Sequence, residues 1–225
     1  MRQASNANFS SSCSRQVHAK ERVRSVLHFC LRQHRGRAHM WILITGLVLF
    51  TVPHMLREMG LRDALIRALP SIGAYKGIYS VVALAGLALI ILGKSQAPFS
   101  MVWQPLYEWR YISHGLMIPA LILVVAGNLP MSHLRRQLRN PMLLGVTLWG
   151  LSHLWSNGDL ASMLLFGTIT LWSGCKFVVR GFTVPVVDRP VSILWDGVAL
   201  ATGLVFYVVI SIYHGQLFGV GLNFE

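Results

Sequence analysis

The chain has 225 residues, of which 54% are hydrophobic and only 12% are charged, with a formal net charge of +12. A soluble domain carries about 25% charged residues, and half of that share cannot cover a water-facing surface. The composition therefore argues against a soluble enzyme and against a disordered chain. It predicts an all-α fold, a polytopic transmembrane helix bundle. The cations flank apolar segments, so the expected partner is the lipid bilayer and no nucleic acid is expected.

The first 39 residues differ in composition from the rest of the chain. They hold eight Lys and Arg against one acid, Glu21, and they are rich in serine. An Arg-rich, Ser-rich and acid-poor amphipathic segment is typical of an organellar transit peptide. Two alternatives are a mis-assigned start, with Met40 as the true first residue, and a helix that lies on anionic lipid. The three cysteines show no CxxC spacing, which argues against a zinc site or a disulfide framework.

Six apolar segments follow, and they divide the chain into a membrane domain over 40–190 and a C-terminal span with a short tail over 191–225. A helix needs about 20 residues to cross a bilayer, with a range of about 17–25. The first and fourth segments are short by this measure and are expected to extend beyond their apolar cores. The predicted spans cover roughly residues 41–56, 77–93, 112–130, 141–156, 160–178 and 193–214.

The loop cations predict the orientation in the membrane. Ten Lys and Arg lie on one side of the six predicted spans and two on the other, which places both termini outside the cytoplasm. Adding the leader's eight cations to the sparse side produces a tie. We therefore expect the mature protein to begin near Met40 and to be a multi-pass protein of the cell inner membrane, or of an organellar membrane if the leader is a genuine transit peptide.

Three histidines, His54, His114 and His153, lie at or within predicted spans. Ionisable groups inside a membrane are costly and are candidates for function. Neutral imidazole is also a common ligand of haem iron and of other metals. Histidine boxes, the HExxH motif, the GxSxG elbow and the phosphate-binding loops are absent from the sequence, which argues against a di-iron desaturase, a zinc protease, a serine hydrolase and a nucleotide-binding protein.

His153 has the most distinctive sequence context. At 3.6 residues per turn, Gly145, Trp149, Ser152, His153 and Ser156 share one face of the fourth span, and leucines occupy the opposite face. Such a small, aromatic and polar face suits either a planar ligand or close contact with a neighbouring helix. The residues alone leave both interpretations open.

Two acids near the spans are expected to have structural roles. Asp159 follows Asn157 and Gly158 in a predicted tight turn and is expected to cap the fifth span. Asp196 lies early in the last span and is expected to stay at the membrane interface near Arg189.

Three stretches of the chain, Lys76–Gly86, Asn140–His153 and Asn157–Gly167, resemble the NnrU family of bacterial inner-membrane proteins. The likeness runs from about Met40 to about Arg180. The family name comes from genes linked to nitrite and nitric oxide reduction. Distant relatives are the cis-zeta-carotene isomerases, which carry b-type haem.

The resemblance implies haem b as the cofactor, with His54 and His153 at the positions of the isomerases' two haem ligands. His114 matches a further family histidine. Two positions depart from the pattern: Asn140 stands where the family usually has histidine, and Gly150 stands where the isomerases carry a cysteine that can act as an alternative ligand. The absence of this cysteine puts the isomerase activity in doubt.

Three functions remain open at this point. The leading hypothesis is a haem-binding inner-membrane protein that supports nitrite or nitric oxide metabolism, with Trp149 and Gly145 on the haem-facing side of the fourth span. The second is a haem-dependent isomerase of a polyene such as a cis-carotene. The expected partners besides the bilayer are a membrane reductase or a small apolar ligand. The third is a cofactor-free accessory of a membrane reductase. Whether the protein is an enzyme is therefore left open.

The predicted depths of the histidines in the membrane indicate an alternative pair of haem ligands, His114 and His153. His54 lies near the inner end of the first span and His153 near the outer end of the fourth, about 15 Å apart along the membrane normal at 1.5 Å per residue. Two axial donors to one iron lie only about 4 Å apart. We therefore expect either an extension of the first span or a pairing of His153 with His114.

Overall fold

The computed structural model of the protein describes residues 36–183, 190–219 and 222. The expectations for the N-terminal leader concern a segment that, up to residue 35, lies outside the described residues. Within the described ranges the secondary structure is helical, with one isolated antiparallel bridge between Met101 and Asp159. The prediction of an all-α membrane bundle is confirmed.

Within residues 36–183 and 190–219, five helices are long and apolar enough to cross a membrane, judged by length and composition. Each of the six predicted apolar segments forms one helix, and the fourth segment is the one that falls short, with 16 residues. Two further short helices, α2 and α5, lie between spans. The helices are α1 Gly36–Met55, α2 Arg62–Ala68, α3 Ile72–Gln96, α4 Arg110–Asn128, α5 His133–Leu138, α6 Pro141–Ser156, α7 Leu160–Thr183 and α8 Ile193–Phe218.

Short polar side chains fix where several helices begin. The Ser71 hydroxyl accepts a hydrogen bond from the backbone N–H of Ala74 at the start of α3. The Asn140 side chain accepts a hydrogen bond from the backbone N–H of Leu143 at the start of α6, whose first residue is Pro141. Such residues satisfy backbone N–H groups that have no partner within the helix, and proline is tolerated at the first helical position for the same reason.

Glycines allow the helices to approach each other closely. A Cβ atom built on Gly93 of α3 would lie 2.6 Å from the Cα of Leu43 on α1. One built on Gly203 of α8 would lie 2.6 Å from the Cα of Ile122 on α4. Because lipid is as apolar as the helices, van der Waals contact at small residues is a main source of helix association in membranes. The helix α6 packs between α4 and α7, α8 packs against α4, and α1 packs against α3.

The core lies where α1, α3, α6 and α7 meet. Its buried side chains include Leu43, Leu47, Ile90 and Ile169, and Trp172 packs against them. Large apolar side chains on the outer faces of the bundle are exposed, as expected for helices whose solvent is lipid.

The glycine contacts predict the effect of adding one methyl group. Gly93→Ala should lower the free energy of unfolding by about 1–3 kcal/mol, because its Cβ would overlap the α1 backbone. Gly77→Ala on the same helix is the matched control, since a Cβ there has no neighbour within 4 Å. Unfolding in mixed detergent micelles measures both variants. Equal stabilities for the two would show that the contact between α1 and α3 does not depend on this close approach.

Candidate functional site

His54 lies in the last turn of α1 and its ring has a fixed orientation. Its Nδ1 lies 2.6 Å from the carbonyl oxygen of Phe50, one turn earlier. A carbonyl can only accept, so Nδ1 carries a proton, and in the neutral ring Nε2 then keeps its lone pair. The ring centroid lies 4.7 Å from that of Phe50, 5.2 Å from Tyr79 on α3 and 5.4 Å from Trp172 on α7. In its neutral form His54 therefore presents the donor nitrogen Nε2 in an aromatic environment. We call this environment the His54 chamber and define it by His54, Phe50, Tyr79 and Trp172.

The same chamber contains a polar group without a partner. The indole Nε1–H of Trp172 is buried and makes no hydrogen bond within the described part of the chain. Buried indole N–H groups usually find an acceptor, because leaving one unpaired costs about 1–3 kcal/mol. Its ring lies edge-on to His54, with an interplanar angle of 79°. An acceptor bound beside His54 would remove this cost.

His153 on α6 repeats the arrangement of His54. Its Nδ1 donates to the carbonyl oxygen of Trp149 at 2.9 Å, so its Nε2 also keeps the lone pair. Its ring stacks on Phe166 of α7 with a centroid distance of 4.4 Å, and Trp149 packs against both. Two of the histidines singled out in the sequence thus face α7 with the same nitrogen available.

The structure does not bring His54 and His153 face to face. Side chains lean toward the N-terminus of their helix, and α1 and α6 run in opposite directions, so the two rings lean toward the middle of the bundle from opposite ends. Their ring partners on α7, Phe166 and Trp172, are six positions apart, which corresponds to about 9 Å along the helix. Axial ligands of one iron require about 4 Å.

His114 lies at the depth of His153 but contacts a different helix. The hydroxyl groups of Ser113 and Ser152 each donate to the other residue's carbonyl, at 3.0 and 2.9 Å, which sets α4 and α6 level there. The His114 Nδ1 lies 3.1 Å from the hydroxyl of Tyr207 on α8. At this depth His114 therefore contacts α8 through Nδ1, whereas the ring of His153 stacks on α7.

The small residues on the His153 face are used in helix contact. A Cβ built on Gly145 would lie 2.6 Å from the carbonyl oxygen of Ala120, so the α4 backbone occupies the space beside it. Ser156 also faces α4, with its hydroxyl 2.5 Å from that of Ser113. Of the five residues that share this face in the sequence, Trp149 and His153 turn toward α7, and the other three turn toward α4.

A charged cluster next to His54 did not emerge as a site from the sequence. The Glu58 carboxylate lies 3.3 Å from Lys176 Nζ and 3.2 Å from Arg180 Nε. Lys176 also donates to the backbone carbonyl of His54. We call Glu58, Lys176 and Arg180 the ion cluster. From the sequence, its two cations indicated only the orientation in the membrane.

The spacing within the ion cluster was a usable signal. Glu58 follows His54 by four residues, as Lys176 follows Trp172 and Arg180 follows Lys176, and such residues share a face where the chain is helical. Burial alone would raise the pKa of Glu58. A backbone hydrogen bond, the charge of Lys176 and hydrogen bonds from Arg180 and Lys176 outweigh burial and lower that pKa. Glu58 is therefore a carboxylate at neutral pH.

The turn between α6 and α7 is fastened to the loop that follows α3. The carbonyl oxygen of Gly158 accepts from the backbone N–H of Val102 at 2.8 Å, and Leu160 donates to the carbonyl of Ser100 at 2.8 Å. Asp159 accepts from the backbone N–H of Ser162, which confirms its predicted capping role, and it pairs with Lys94 at 2.9 Å. This end of α7 is therefore joined by hydrogen bonds and an ion pair to the end of α3 and to the loop that follows it.

Asp196 has a role that its sequence position did not indicate. Its carboxylate accepts from the backbone N–H groups of His133 and Leu134, each at 3.0 Å, and so caps α5 from the first turn of α8. The expected neighbour, Arg189, lies outside the described residues.

Asp159 provides a test with a defined pH dependence. Burial would raise its pKa, but Ser162 and Lys94 outweigh burial and lower the pKa below the ordinary value of 3.8. Because the folded pKa is the lower one, the stabilisation is complete above the ordinary value and is lost as pH falls through the folded pKa.

Asp159→Ala should cost about 1–2 kcal/mol at neutral pH through loss of the cap. Asp159→Asn should cost less, since an amide oxygen still caps, and it should lack this acid-dependent component. Unfolding in detergent at neutral and acidic pH measures both. Equal acid sensitivity of the wild type and Asp159→Asn would contradict the assignment.

The comparisons with known proteins agree with this architecture. The chain matches the family model described as NnrU protein over residues 42–222, from the second turn of α1 to beyond the end of α8. Neither the curated proteins nor the solved structures gave a match. The match covers most of the chain and includes every apolar helix described above. This multi-pass membrane protein belongs to the NnrU family.

Proposed function

We propose that this protein binds b-type haem in the His54 chamber, with His54 as the axial ligand, and that it supports nitrite or nitric oxide metabolism in the cell inner membrane. The observation that carries the proposal is the pairing of a neutral, oriented donor nitrogen on His54 with the unpartnered indole N–H of Trp172. A ligand that contains a metal and also accepts hydrogen bonds would bind His54 through the metal and accept a hydrogen bond from Trp172.

The residues of the chamber fit haem chemically. Metal-ligating histidines almost always donate their other ring N–H, often to a backbone carbonyl, as His54 does to Phe50. The rings of Phe50, Tyr79 and Trp172 around His54 are aromatic, and aromatic rings pack well against a planar apolar ligand. Haem needs only one or two protein ligands, so a larger cluster of metal-binding side chains is not required.

The geometry favours one axial histidine over two. Because the ring partners of His54 and His153 are about 9 Å apart along α7, a shared iron would require the helices to move. With His54 as its protein ligand, the haem would supply an iron able to bind a diatomic such as nitric oxide. In this proposal His54 orients the haem, Trp172 donates a hydrogen bond, and the aromatic rings exclude water.

The optical spectrum tests the proposal most simply. Protein expressed with ample haem and purified in detergent should show a Soret band, and His54→Ala should lose most of it. His114→Ala is the matched control, since His114 contacts α8 and should retain haem. In ferric wild-type protein a single axial histidine predicts a high-spin signal, whereas coordination by both His54 and His153 predicts a low-spin signal that His153→Ala converts to high spin.

A structural effect of the His54 variant is separable from loss of the ligand. His54→Gly leaves space for an external base, so added imidazole should restore the Soret band if His54 coordinates the iron. A wild-type protein that never shows a Soret band contradicts haem binding. Equal haem retention by His54→Ala and the wild type contradicts the assigned ligand.

A cofactor-free accessory is the second candidate, and one observation favours it. Gly145, Ser152 and Ser156 on α6 are used in contact with α4, as in a face made only for helix packing. The isomerase alternative has less support, because a side chain at position 150, where the isomerases carry cysteine, would overlap the hydroxyl of Thr170 on α7. A Soret band in the purified protein separates haem binding from the accessory role.

A further inference from the structure

The ion cluster carries more positive than negative charge. Among the described residues, Lys176 and Arg180 pair with one carboxylate, that of Glu58, and Arg57 lies close enough for its charge to act on Lys176. The side chains of Lys176 and Glu58 are 11% and 13% exposed, and that of Arg180 is 25% exposed. A surplus charge with so little contact to solvent is costly unless a counter-ion neutralises it.

The donors of the cluster are only partly used. Arg180 contacts Glu58 through Nε, and within the described part of the chain its two terminal nitrogens have no hydrogen-bond partner. A guanidinium presents these nitrogens as a fork that matches a carboxylate or a phosphate. The side chain of Arg180 is partly exposed, so it is not sealed off from an external ligand.

We propose that the ion cluster binds an anionic carboxylate or phosphate group through Arg180 and Lys176. Two sources have this chemistry: the propionates of the haem proposed above, and the headgroup of an anionic phospholipid. The first rests on the proposed function, and the cluster lies close enough to the chamber for it, because Lys176 touches the backbone of His54 itself. The second stands on the cluster alone.

Two measurements on the detergent-purified full chain distinguish the sources. The first is the rate of haem loss to an excess of apomyoglobin, followed by the Soret band. The second is native mass spectrometry of haem-free protein incubated with phosphatidylglycerol or with phosphatidylcholine. Each is applied to Arg180→Gln and Lys176→Gln, with Arg67→Gln as the matched control, because Arg67 is an exposed cation on the short helix α2.

If the propionates bind here, Arg180→Gln should accelerate haem loss about tenfold or more, the effect of one charge-assisted hydrogen bond, and Arg67→Gln should not. If a lipid headgroup binds here, Arg180→Gln should reduce the retained phosphatidylglycerol and leave phosphatidylcholine unchanged. Either result supports the anion site. The anion site would be overturned if Arg180→Gln and Lys176→Gln lost haem at the same rate as Arg67→Gln and also retained as much phosphatidylglycerol.

Two further variants guard against loss of folding. Arg180→Lys keeps the charge but not the fork and should give an intermediate effect. Glu58→Gln removes the competing carboxylate while keeping both cations, so it should hold the anion at least as well as the wild type. A folded Glu58→Gln protein that binds neither anion would overturn the proposal. A wild type without haem would contradict the proposed function, and the lipid measurement would still decide the anion site.

Discussion

Contact between helix backbones at glycine is the constraint on which the bundle depends. In a bilayer there is no hydrophobic force between helices, so association requires close van der Waals contact and satisfied polar groups. Gly93, Gly145 and Gly203 supply that contact at three separate interfaces. Because the α4 backbone lies against Gly145, the small residues of α6 pack against α4. On that part of α6, Trp149 and His153 are the side chains left to contact a ligand.

The helix α7 contacts both histidines and carries the two cations of the ion cluster. Phe166 and Trp172 on this helix contact His153 and His54, and Lys176, one turn beyond Trp172, holds the last turn of α1. The end of α7 that begins at Leu160 is fastened to the loop after α3. Both histidines are thus oriented against one helix, and the ion cluster places a surplus cation directly beyond His54.

The amino-acid sequence predicted the fold better than the site. Hydropathy alone identified each apolar helix, and turn chemistry identified Asp159 as a cap, because both depend on local pattern. Which neighbour a side chain contacts depends on how the helices pack together. The sequence of a single segment does not give this information. For that reason, only the assembled bundle showed that Gly145 lies against α4 and that the Trp172 indole N–H has no partner among the described residues.

The central claim is that His54 is the protein's ligand to haem iron. An experimental structure of the haem-loaded, detergent-purified protein tests it most directly. We predict continuous density between the iron and the Nε2 of His54, with Trp172 beside the haem. Iron coordinated by His114 or by His153 without His54, or a haem bound outside the His54 chamber, would contradict it.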